Sequence, residues 1–154
     1  MGVNLNRSFK RSVLATAFFL AVTSSASAEN IAETVSKFGL IGTWATDCSI
    51  APDRSYGTRM IYKTASDGRV IHHRDFGDIS DDNEVVSAVL SDDGTLNLRV
   101  VFSLLKQTRE YGIVKQPDGS IRVIYNRDEK NEYSIRDGKI TANGEQSRSI
   151  QQCK

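Results

Sequence analysis

The chain has 154 residues, with 20 Lys and Arg against 19 Asp and Glu and a hydrophobic share of 39%. That length suits one domain with a single core. Balanced charge without a Lys/Arg-dense block argues against nucleic acid as a partner and against strong attraction to anionic lipid.

The first 28 residues read as a secretory signal peptide. Arg7, Lys10 and Arg11 form a basic head, Val13 to Val22 is an apolar stretch of ten residues, and Ala26-Ser27-Ala28 is a small-x-small cleavage site. Ten apolar residues are too few to span a bilayer. No later stretch reaches spanning length, and no cysteine stands at the cleavage site to carry a lipid. The expectation is therefore a periplasmic or secreted protein that is not membrane-spanning. Its mature domain would cover 29–154, which is 126 residues. Removing the leader leaves 17 basic against 19 acidic residues, a net charge of −2.

Asn30 to Phe38 predicts one short N-terminal helix. Ile31, Val35 and Phe38 fall on one face, Asn30 stands as N-cap with Glu33 three residues on, and Gly39 stops it. Everything after it alternates. Strands are predicted at 40–48, 58–64, 69–76, 84–90, 95–105, 107–115, 120–126, 132–136, 139–142 and 147–153. Asp67-Gly68, Asp93-Gly94, Asp118-Gly119, Asp137-Gly138 and Asn143-Gly144 mark hairpin turns between them. Alternation is clearest where Leu96, Leu98, Val100, Phe102 and Leu104 share a face, the pattern of an antiparallel sheet with one side buried. Residues 49–57 and 75–83 read as loops.

Eight to ten strands in a meander must close or split into two sheets. Cys48 and Cys153 form an even pair expected to be oxidised outside the cytoplasm. The bond would tie the first strand region to the last and favour closure. In the chain-entropy model such a loop contributes at most about 4–5 kcal/mol. The rival use of the thiols, in redox or metal chemistry, lacks a Cys-x-x-Cys spacing. The reading is an all-β, antiparallel up-and-down β-barrel with a short N-terminal helix. A two-sheet sandwich is the alternative.

Gly42-Thr43-Trp44 on the first strand, behind a short helix, resembles the Gly-x-Trp signature of the calycin superfamily of lipocalins, fatty-acid-binding proteins and avidins. The resemblance implies that Gly42 allows close approach of the helical turn, that Trp44 plugs the closed end, and that Arg148 from the last strand packs over the indole. No second lipocalin motif is present, and Trp44 is the sole tryptophan, so the biotin-binding tryptophans of avidins have no counterpart. The signature also resembles that of small periplasmic barrels that inhibit bacterial metalloproteases, although the segment before the barrel looks helical rather than extended.

Few residues of the chain suggest chemistry. His72 and His73 are adjacent, so on a strand they point to opposite faces, and Asp75 could join only His73. The expectation is polar residues near a barrel rim, with no metal. Asp78, Asp81, Asp82 and Glu84 lack the spacing of a calcium loop and read as a solvated turn. No nucleophile elbow and no Gly-rich phosphate loop appear. Neither an enzyme nor a cofactor is expected. Tyr56, Tyr62, Tyr111, Tyr125 and Tyr133 are spread over several strands and could line a cavity with polar tips; Tyr62, Tyr111 and Tyr125 are the candidate ligand contacts. The function expected is non-enzymatic binding of a small apolar or amphipathic ligand. The alternative is a protein–protein module acting on an envelope protein, such as a protease inhibitor.

Overall fold

The computed structural model describes residues 1–2, 26–55 and 57–154, with side chains omitted over 26–30. The leader's basic head and apolar stretch, and Tyr56, lie outside the described residues. Helix α1 runs Ala26–Phe38. It starts four residues before the expected cap at Asn30, because nothing in Ala-Ser-Ala-Glu opposes helix. Its end is as expected. Gly39 takes φ +80°, its N–H donates to Ser36 O at 2.8 Å, and Leu40 N–H donates to Val35 O at 3.0 Å. That pair of bonds is a Schellman stop. Val35 and Phe38 are buried, and the helix packs on the fourth strand.

Ten strands follow. They are β1 (Gly42–Ala45), β2 (Arg59–Thr64), β3 (Val70–Asp75), β4 (Ser80–Leu90), β5 (Leu96–Phe102), β6 (Gln107–Lys115), β7 (Ile121–Asp128), β8 (Tyr133–Arg136), β9 (Lys139–Ile140) and β10 (Ser149–Cys153). Every neighbouring pair is antiparallel. β10 pairs with β1 on one side and with β7 on the other, so β1 to β7 and β10 close an eight-stranded barrel. The disulfide Cys48–Cys153, with Cα atoms 5.4 Å apart, holds the chain after β1 against β10.

Three details differ from the sequence reading. β8 and β9 are not barrel staves but a side hairpin hung on the end of β7. β4 begins at Ser80 rather than at residue 84, because each acidic side chain meets a cation across the strands. Asp81 pairs with Arg74, Asp82 with Lys63 and His73, and Glu84 with Arg69. The strand ending near residue 105 stops at Phe102, so Leu104 leaves the inner face and is 58% exposed in the β5–β6 turn.

The two ends of the barrel are built differently. At one end, the turns at 65–69, 91–95 and 116–120 share one geometry. Asp67, Asp93 and Asp118 each accept, through Oδ1, the backbone N–H two residues on, and the glycine between stands at positive φ. Phe38, Leu40 and Trp44 plug this end, and Lys115 Nζ lies 5.2 Å from the Phe38 ring centroid. The other end carries the irregular connections, 46–58, 76–79, 103–106 and 129–148, and with them exposed Ile50, Ile79, Leu104 and Leu105.

Candidate functional site

Between these ends the barrel is filled by its own side chains. Inward alternation on β2 to β6 brings together Tyr62, His72, Phe102 and Tyr111. The His72 ring stacks on Tyr62 with centroids 4.5 Å apart and planes 3° from parallel. Phe102 and Tyr111 meet it edge-on. His72 is therefore core, not rim: it is 2% exposed, and neither ring nitrogen has a hydrogen-bond partner. Burial holds it neutral, with its pKa lowered to about 3, and the Arg74 guanidinium adds to that. His73 lies on the face opposite His72, as expected of adjacent strand residues, with Nδ1 2.7 Å from Asp82 Oδ1. Asp75 does not join it, since its Oδ1 accepts the Gly77 N–H.

Above the aromatic cluster lies an ion pair. The Arg74 guanidinium grips Asp81 through two nitrogens and lies over the rings of Phe102 and Phe76, 4.4 and 5.2 Å from their centroids. Asn83 Nδ2 donates to Asp81 Oδ1 at 2.8 Å and to His72 O at 3.2 Å. Burial pushes the Asp81 carboxyl up, but the bonds from Arg74 and Asn83 outweigh it and hold it below the ordinary range. Asp81 is thus a buried partner rather than part of a solvated turn.

Space for a ligand lies instead at a seam in the barrel wall. β10 meets β7 only at Ser149↔Arg122 and Ile150↔Ile121. Beyond that point β7 pairs with β8, at Asn126↔Ile135 and Arg127↔Tyr133. The two partners of β7 diverge, and a groove of about 220 Å³ opens between them. Met60, Ile121, Val123 and Ile150 form its apolar floor, while Ile135 and Ile140 come from the side hairpin. Thr46, Gly57, Thr58, Ser147 and Arg148 complete the lining. Ser147 Oγ donates to Val123 O at 2.6 Å and pins the hairpin's return. Small-molecule sites span roughly 300–1,000 Å³, so this one suits a short apolar group or one end of a longer molecule. Among the described residues its lining offers hydroxyls and one guanidinium, with no carboxylate or imidazole.

The sequence candidates separate. Trp44 is buried as the plug, and its Nε1–H donates to Leu40 O at 2.7 Å. Gly42, at φ +136°, makes room for the last strand rather than for the helical turn: an added Cβ would stand 2.6 Å from Gln152 Nε2, which donates to Ile41 O. Arg148 is exposed and lines the groove; the cation–ring contacts among the described residues belong to Arg74, Lys115 and Arg136. The reason is position, since Arg148 precedes β10 and Gln152 is the residue opposite Trp44. Tyr62 and Tyr111 fill the core. Tyr125 faces outward and donates to Asn97 Oδ1 at 2.7 Å. None of the three tyrosines lines the groove. Its apolar floor was legible as inward alternation on β7, but the seam depends on where β10 leaves β7, which no local pattern marks.

Among the described residues no cluster of His, Cys, Asp and Glu could hold a metal ion, and no helix is long and apolar enough to cross a membrane. Comparison with known protein families, with curated proteins and with solved structures finds no match.

Proposed function

We propose that this is an exported, non-enzymatic binding protein that holds a small apolar or amphipathic molecule in the seam groove. The observation that carries the reading is the convergence of Met60, Ile121, Val123, Ile135, Ile140 and Ile150 on one open groove. Apolar surface left open to water is retained at a cost of about 25 cal/mol per Å², and a ligand covering it recovers that energy. Arg148 at the rim makes no hydrogen bond or ion pair among the described residues and suits a polar head. The signal-peptide pattern in the first 28 residues supports export.

Native mass spectrometry of protein purified from its own compartment, with displacement of a fluorescent fatty acid, tests the reading. Co-purified small molecule or saturable displacement is expected, and Ile150→Trp, which fills the groove, should abolish it. Blank results in both assays would overturn the groove reading. The second reading, a protein-binding module, draws on Ile79, Leu104 and Leu105, which are exposed on connections at the open end. Its mark would be loss of partner capture in Leu104→Asp with displacement unchanged.

A further inference from the structure

The outer wall of the barrel carries a second hollow, of about 460 Å³, lined by Ile124, Tyr125, Arg127, Tyr133, Arg136 and Asp137. It is built by inlaying flat groups in the sheet. Tyr125 pairs with Gly112 across β6 and β7, and a Cβ at Gly112 would lie 2.2 Å from Tyr125 Cε1. The missing side chain is what lets the ring lie down on the strand. The ring is then fixed at its far end by the bond from its hydroxyl to Asn97. Arg127 is fixed beside it: Nε donates to Glu110 Oε2 at 2.7 Å and Nη1 to Asn131 Oδ1 at 3.2 Å. Across the hollow, the Arg136 guanidinium lies 5.0 Å from the Tyr133 ring centroid. Both Tyr125 and Tyr133 line the hollow, and Arg127 Nη1 donates to the Tyr133 hydroxyl at 3.4 Å, which holds that ring as well.

We propose that this hollow binds a neutral oligosaccharide. A pyranose presents a C–H face, which packs on flat aromatic rings, and a rim of hydroxyls, which accept from guanidinium N–H and donate to carboxylate. Both kinds of group are here, and most are held in place by neighbours, which lowers the ordering cost of binding. Charge decides against a polyanion. Arg127 is paired with Glu110, and Asp137 stands in the lining beside Arg136, so the hollow has no net charge, whereas a strand of nucleic acid on a stacking platform needs an excess of cations. The proposal is independent of the seam groove, because none of these six residues lines it.

The test is a titration of the ¹⁵N-labelled protein with cellohexaose and with the hexamer of N-acetylglucosamine, read by amide shifts. Saturable shifts at Gly112, Ile124 and Tyr133 are expected with at least one of them. Tyr133→Ala and Arg136→Ala should each weaken binding by about tenfold; Arg136 is exposed, so its variant should leave the melting temperature unchanged, whereas Tyr133 is half-buried. Ile150→Trp in the seam groove should leave it unaffected. The proposal is overturned if neither sugar gives saturable shifts by about 5 mM. It is equally overturned if oligothymidylate occupies the hollow in their place with an affinity that falls as salt rises.

Discussion

The indole Nε1–H of Trp44 and the carbonyl oxygen of Leu40 are bonded at 2.7 Å inside the plugged end of the barrel. The bond joins the first barrel strand to the residue that leaves the helix stop, so Trp44 serves both as apolar filler and as partner for a carbonyl shut away from water. Leu40 is fully buried and Trp44 is 2% exposed.

Trp44→Ala should cost about 3–5 kcal/mol, the range for truncating a large core side chain. Trp44→Phe keeps most of the apolar bulk but leaves Leu40 O unpaired, and should cost about 1–3 kcal/mol. Denaturant unfolding measures both. An unchanged midpoint for the alanine variant would show that the residue is not the plug.

At the opposite end, Asp81→Ala should strand the Arg74 charge, 18% exposed at its side chain, beside Phe102 and His72. Removal of one partner from a buried pair costs about 3–5 kcal/mol. The double change Arg74→Leu with Asp81→Leu should cost clearly less, since no unpaired charge remains. Equal losses in the single and double variants would show that the pair does not act as a unit.

Acid should destabilise the fold through His72. Its pKa is lowered to about 3 in the folded protein from an ordinary value of 6.5, so the unfolded chain takes up the proton first. The stability it contributes is fully present above about 6.5 and falls as pH drops from there towards 3, by about 1.4 kcal/mol per pH unit. Asp81, also held low, loses its contribution in the same direction at more acid pH. His72→Phe keeps a flat ring against Tyr62 and cannot titrate, so its unfolding free energy should flatten between pH 6.5 and 4. A variant that tracks the parent across that range would remove His72 as the cause.

The sequence by itself located every strand of this barrel apart from the start of β4, because β5 alternates clearly and most strands are separated by turns whose Asp and Gly fix the chain reversal locally. It also determined the helix stop at Gly39 and the pairing of Cys48 with Cys153, the two cysteines of the chain. Only the tertiary structure decided which side of a stave faces in when both sides are polar. Asp81, Asp82 and the two histidines look alike in sequence, yet Asp81 and His72 are buried because Arg74 and Tyr62 happen to stand opposite them. It also decided that Tyr125 lies outside, that Arg148 borders a groove, and that β8 and β9 leave the wall. Each of these depends on pairing between segments far apart in the chain, where one residue of register moves a side chain from core to solvent.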